Sequence, residues 1–236
     1  MKSIRPDGFY HREAGKYVKD AVYGANDGII TTFAIVAGVA GADLSATTIM
    51  LLGIANLFAD GFSMAVSSWL SATSEKDVYH RERSVEEWEL HHQRADERAE
   101  MQRMLASRGY TEADAKNLTE LLIKNKDFWL DIMMREELSL FAFSSRPFRN
   151  ALITFCAFVG AGIVPLLLYF VFPPDYPSLF WLAAALTGAA LFLIGSLRSL
   201  FTSRRWFFAG LEMLMVGGIA AIIAYTIGAF AKTLIG

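Results

Sequence analysis

The sequence predicts an all-α integral membrane protein of five transmembrane helices, with a three-helix polar insert between the second and third. Three observations carry that reading. Hydrophobic residues make up 54% of the 236 residues and mean hydropathy is positive, too apolar for an ordinary soluble domain. The apolar residues lie in long blocks of about 20 or more, the length a helix needs to cross a bilayer. One strongly polar stretch, residues 74–145, interrupts them and holds sixteen of the 24 acidic residues against eleven Lys and Arg. The chain therefore divides into 1–73 (N-terminal segment and spans one and two), 74–145 (the insert) and 146–236 (spans three to five).

The first span is read over about Val22 to Ala42, with Asp27 as its only charge, and a tight loop Gly41-Ala42-Asp43-Leu44 closes it. Ser45 to about Ser71 is the second, its only charge Asp60, and with no breaker behind it the helix is free to continue into the polar block. Ser84 to about Ser107 reads as one charged helix ended by Arg108-Gly109. Thr111-Glu112-Ala113-Asp114 has the spacing of a capping box, with Asp in place of Glu, and opens a helix to about Lys124. A third runs from about Asp127 to Ser139, and Ser144-Ser145-Arg146-Pro147 breaks the pattern. Three such short helices are small for independent stability, which leaves a metal ion or a partner subunit to help hold them.

Ala151 to Phe172 is the third span, kinked by Pro165, as membrane helices tolerate. Leu179 to Leu197 is the fourth and Trp206 to about Phe230 the fifth, with Glu212 near its start. Small residues at packing spacing (Ala184 and Gly188, Ala157 and Ala161, Gly210 with Gly217 and Gly218) are expected at close helix contacts. Lys2, Arg5, Arg12, Lys16 and Lys19 precede span one, Arg146 and Arg149 precede span three, and Arg198, Arg204 and Arg205 separate spans four and five. The loops around Asp43 and Asp175 hold no Lys or Arg. The bias of positive charge to one side places the N-terminus and the insert in the cytosol and the C-terminus outside.

Other classes are disfavoured. A net charge of −2 gives no case for nucleic acid, and the single Cys156 excludes a disulfide framework or a cysteine zinc site. The N-terminus mixes both charge signs and does not read as a cleaved signal peptide. It carries no longer extension, which favours a prokaryotic plasma membrane.

Two groups of residues suggest metal chemistry. On one continuous helix Glu86, Glu89, Glu97 and Glu100 fall within an arc of about 80°. The intervening position is Gln93, so no Lys or Arg neutralises that row, and a metal ion is the candidate counter-charge. Met133, Met134 and Glu137 add a mixed thioether and carboxylate cluster. The competing reading is a solvated helix with pairs such as Glu82–Arg81 and Glu97–Arg94, and methionines that fill a core. His91 and His92 are further candidates, although exposed histidines on a charged helix are commonly incidental. Inside the membrane, Asp27 is either a ligand or, because Asn26-Asp27-Gly28 is also a turn signal, a helix cap. Asn56, Asp60 and Met64 form one stripe at i, i+4 and i+8, with Ser63 and Ser67 beside it. Oxygen ligands beside a thioether suit a borderline transition metal better than Mg²⁺ or Ca²⁺.

DAVYGANDGIITTFAIVAGVAGA in span one, NLFADGFSMAVSSWLSATSEKD in span two and FWLDIMMREELSL at the end of the insert together resemble the vacuolar iron transporter family. The resemblance covers nearly the whole chain. It implies a homodimer that exports Fe²⁺ from the cytosol in exchange for protons, with Mn²⁺ and other divalent transition metals as further cargo and no permanently bound cofactor. It also implies that the family's membrane-pathway aspartate and methionine fall on Asp27 and Met64. The cytosolic metal-binding glutamates fall on Glu86, Glu89, Glu97 and Glu100, and the Met-Met-x-x-Glu on Met133, Met134 and Glu137. Where better-known members carry a membrane glutamate two turns before the methionine, this chain has Asn56, and Asp60 is expected to supply the missing charge.

Two alternatives differ in class. A membrane-attached di-iron carboxylate oxidase would use Glu89-Leu90-His91-His92 as one Glu-x-x-His motif, but needs a second that the sequence lacks. A metal-binding membrane sensor would bind ions without moving them.

Overall fold

The computed structural model describes residues 15–141, 146–199 and 204–235. Lys2, Arg5, Arg12, Ser144 and Ser145 lie outside them, as does the Lys16 side chain. Every regular element among the described residues is helical: α1 (Gly15–Gly41), α2 (Ala46–His92), α3 (Arg94–Ser107), α4 (Glu112–Leu122), α5 (Lys126–Glu136), α6 (Pro147–Gly162), α7 (Leu167–Val171), α8 (Leu179–Arg198) and α9 (Trp206–Ile235). Among the described residues five segments are long and apolar enough to cross a membrane: α1, α2, α6 with α7, α8 and α9. The chain divides into two compact units, Met1–Trp69 with Arg146–Gly236, and Leu70–Ser145.

In the first unit α1 is the central helix, packed against α6, α8 and α9, while α8 packs on α9. Apolar burial does not drive helices together in lipid, so close backbone approach has to. The tightest approaches involve α1 rather than the small-residue pairs singled out in the sequence. A Cβ on Gly28 would lie 2.2 Å from the carbonyl oxygen of Phe158 on α6, and one on Gly228 of α9 would lie 2.0 Å from that of Gly38. Gly218, by contrast, meets nothing within 4 Å. Gly28→Ala should therefore destabilise the protein by about 1–3 kcal/mol. Gly218→Ala should be close to neutral. Thermal unfolding in detergent checks both, and equal melting temperatures for the two variants would refute the packing argument.

The third span bends as expected. Pro165 lacks an N–H and crowds the preceding turn, so Val164–Leu166 adopts a single 3₁₀ turn between α6 and α7. The expected start at Ala151 is one turn late, because Pro147 sits in the first helical turn, where its missing N–H costs nothing. Asp43 turns the α1–α2 loop with φ 58° and accepts a 2.6 Å ion pair from Lys232 near the end of α9. Glu212 is no isolated membrane charge: Arg198 and Arg204 both donate to it, at 3.1 and 3.2 Å.

The second unit is held differently, around Leu90, Met101, Trp129, Leu130, Met133 and Met134, all at most 4% exposed. In a polar unit such side chains each contribute on the order of 1.5–3 kcal/mol through burial. Local signals set several helix ends. Gly109 takes φ 96° just past α3. The Thr111 hydroxyl accepts from the Asp114 N–H and donates to its carboxylate, the Asp version of the capping box. Asn125 caps α5 by accepting from the Phe128 N–H.

One expectation is corrected. Residues 84–107 are not a single helix: α2 continues unbroken to His92, Gln93 leaves helical geometry at φ −119° and ψ 33°, and α3 starts afresh at Arg94. The insert is therefore the end of α2 followed by α3, α4 and α5. No Pro or Gly marks the break. On a straight helix Glu86 and Glu97, eleven residues apart, would be separated by about 16 Å along the axis. The break brings them together instead.

Candidate metal centre

The site is assembled from three helix ends. Glu86 lies near the end of α2, Glu97 in the first turn of α3, and Glu137 caps α5, its N–H donating to the Met133 carbonyl at 3.0 Å. One carboxylate oxygen from each lies within 4.8 Å of the other two. Two oxygens on opposite sides of one divalent ion are separated by roughly 4.2–4.8 Å, so a single ion can bridge this spacing. Glu86 and Glu97 are 2% and 6% exposed, whereas Glu137 opens to solvent. The centre thus has a buried floor and an open mouth.

Its electrostatics are unfavourable without a cation. Burial, then repulsion from Glu137, Glu97 and Glu89, pushes the Glu86 carboxyl up to about 8. Burial, then Glu100, Glu97 and Glu89, lifts Glu137 to about 7. Glu97 is also raised, chiefly by burial, against a hydrogen bond with Glu86 that favours its ionised form. Glu86 Oε1 and Glu97 Oε2 are buried with no hydrogen-bond partner. Among the described residues no Lys or Arg pairs with any of the three. Arg94, the expected partner of Glu97, instead lies 5.9 Å over the Trp129 ring. Buried, unpaired carboxylates are costly to ionise, and a divalent cation removes that cost.

The other sequence candidates take different places. Glu89 and Glu100 are half-buried and contribute to the field around the three, Glu100 also pairing with Arg103 at 3.7 Å. Met133 and Met134 are wholly buried within the apolar cluster of the unit, one turn before Glu137. His91 and His92 are engaged elsewhere: His91 with the Lys126 ammonium at 2.6 Å, His92 with the Trp88 carbonyl at 2.8 Å. The four-glutamate row understated the part of Glu137, whose convergence with Glu86 and Glu97 no spacing in the sequence signals.

In the membrane unit Asp27 lies well inside α1, so it is not a helix cap, and its carbonyl accepts the Thr31 hydroxyl at 2.8 Å. Asn56, Asp60 and Met64 lie on α2 and are half-buried. The Asp27 and Asp60 carboxylates are close enough to feel each other's charge. Asn26 Oδ1, Thr32 Oγ1 and Thr154 Oγ1 are buried without partners in the same unit. Thr154 escaped notice in the sequence because a single Thr in an apolar span is a weak signal.

Comparison with known proteins places the chain in a family. A family model described as the VIT family matches residues 18–229. A vacuolar iron transporter of Plasmodium berghei is 33% identical over 233 residues, spanning 95% of this chain and 85% of that protein. One of Plasmodium falciparum is 34% identical, spanning 91% and 82%, and vacuolar iron transporter 1 of Arabidopsis thaliana is 33% identical, spanning 91% and 86%. The chain therefore belongs to the VIT family, the family of those vacuolar iron transporters, and is a multi-pass membrane transporter rather than an enzyme.

Proposed function

We propose that the protein is a homodimeric exchanger that moves Fe²⁺, and with it Mn²⁺ and other divalent transition metals, out of the cytosol against protons. The observation that carries this reading is the convergence of Glu86, Glu97 and Glu137 on one buried spot that no Lys or Arg among the described residues neutralises. In this reading the Leu70–Ser145 unit faces the cytosol and gathers cargo, with Glu89 and Glu100 widening its negative field and Met133 and Met134 contributing thioether character beside Glu137. The ion then crosses on Asp27, Asn56, Asp60 and Met64, oxygens and a thioether that replace part of its water shell. That mixture favours Fe²⁺ or Mn²⁺ over Mg²⁺.

Exchange follows from ligand chemistry. A metal binds the ionised carboxylate, so its arrival displaces protons, and a carboxylate that has released its metal can return protonated. Dimerisation is supported by the Asn56–Asp60–Met64 stripe, which one protomer covers only halfway. Polar groups in a membrane are normally turned to a protein interior, and a second copy related by a two-fold axis would supply one.

The test is flux into proteoliposomes loaded with a pH dye. Fe²⁺ and Mn²⁺ should enter with counter-movement of protons, and Mg²⁺ should not. Metal binding with no flux would identify a sensor and overturn the reading. A detergent-solubilised particle of monomer mass by light scattering would remove the dimer.

A further inference from the structure

Each buried glutamate of the metal centre has an arginine three residues before it on its own helix. Arg83 precedes Glu86 on α2, and Arg94 precedes Glu97 on α3. Side chains at that spacing are neighbours, with Cβ atoms about 5–6 Å apart, and an arginine there is a ready partner for a carboxylate. Neither arginine takes that partner. The Arg83 guanidinium donates instead to Asp131 of α5 at 2.7 Å, with the Tyr79 hydroxyl beyond it at 3.5 Å. The Arg94 guanidinium lies over the buried Trp129 ring of α5, while Glu86 Oε1 and Glu97 Oε2 stay without a partner.

Asp131 and Trp129 are two residues apart on α5, so their side chains leave the helix about 160° apart. One helix thus engages an arginine on each side. Other cations of the unit are engaged in the same way: Arg98 by Glu120, Arg108 by Glu136 and Lys126 by Glu87. The Arg83–Asp131 pair is half-exposed, where an ion pair adds little stability. Its larger consequence is for the site. An arginine bound to Glu86 would occupy an oxygen that a metal needs and cancel the charge that attracts the metal.

We propose that Asp131 and Trp129 are positioning residues for metal binding: neither is a ligand, and each holds an arginine off a carboxylate, Arg83 off Glu86 and Arg94 off Glu97. The proposal rests on Glu86, Glu97 and Glu137 as the metal centre.

Full-length protein in detergent is titrated with Mn²⁺ by calorimetry, with Glu86→Gln marking the site. Asp131→Asn should weaken that binding about fivefold, because it frees Arg83 to pair with Glu86. Arg83→Gln alone should change it by less than about twofold, and Arg83→Gln added to Asp131→Asn should restore it to within about twofold of the parent. A clamp that only fastened α2 to α5 would not recover when its second partner is removed. A double variant as weak as Asp131→Asn therefore overturns the proposal. So does a gain in Arg83→Gln equal to the loss in Asp131→Asn, since the two charges would then act only through the general field. Should Asp131→Asn fail to fold, Trp129→Phe decides. Its ring holds a guanidinium less well, so binding should weaken about twofold and recover when Arg94→Gln is added. Absence of that recovery overturns the proposal. A parent that binds no Mn²⁺ removes the metal centre and this proposal together, whereas a parent that binds it without rescue in the double variant removes this proposal alone.

Discussion

Replacing Glu86 by glutamine should weaken binding of Fe²⁺ or Mn²⁺ at least tenfold and at the same time raise the melting temperature of the metal-free protein at pH 8. The two effects have one cause. Glu86 is 2% exposed, one of its oxygens has no partner, and its carboxyl is pushed up to about 8. A group whose pKa is raised by folding contributes stability that is fully present below its unfolded value, near 4.3. That contribution is lost as pH rises through the folded value. The metal-free protein should therefore lose stability between about pH 4.5 and 8, with Glu137, lifted to about 7, adding to the loss. Glutamine keeps the shape, removes the charge and flattens that part of the profile, a gain of about 1–3 kcal/mol at pH 8. Metal should stabilise the parent in the same range, because it neutralises the carboxylates that repel one another. Glu97→Gln with Glu100→Gln should weaken binding in the same direction. Titration calorimetry and thermal unfolding across pH check the set. Unchanged affinity, or a Glu86→Gln protein that melts below the parent at pH 8, would show that these carboxylates are not the metal centre.

Asp27→Asn should abolish metal flux in proteoliposomes while leaving unfolding within about 0.5 kcal/mol of the parent. Asp27 lies within α1, not at its end, so the substitution removes no cap, and the Thr31 hydroxyl bonds the backbone carbonyl that asparagine retains. The change should therefore appear in transport and not in folding. Asp60→Asn should stop or uncouple flux, because Asn56 cannot titrate and Asp60 is the charged member of its stripe. Met64→Leu should impair Fe²⁺ transport and leave the fold intact. Parental metal and proton fluxes in Asp60→Asn would make Asp60 structural and undo the account of Asn56.

The spans, the bend at Pro165, the helix end at Arg108-Gly109 and the Thr111 cap were all readable from the residues. Each depends on physics within one helix turn or one apolar block. Whether Asp27 capped a helix or lay inside one was open on the residues alone, since Asn-Asp-Gly fits a turn and an apolar span equally well. The continuous run of α1 decides it. The pairing of Glu212 with Arg198 and Arg204 and that of Asp43 with Lys232 were not readable, because the partners come from different elements of the chain.

The metal centre divides along the same line. Its residue types, and the excess of acid over base that calls for a cation, were determined by the sequence by itself. Which carboxylates meet was decided by the tertiary structure. The pattern favoured one straight helix with four glutamates in a row, since nothing between His92 and Arg94 carries a breaking signal. The actual break at Gln93 gives up helical hydrogen bonds at a place where propensity does not require it. The compensation is non-local: Leu90 from one side of the break and Met101 from the other bury against Trp129, Leu130, Met133 and Met134 of α5. Those contacts turn α3 off the line of α2, and Glu86, Glu97 and Glu137, spread over some fifty residues of sequence, come within reach of one ion.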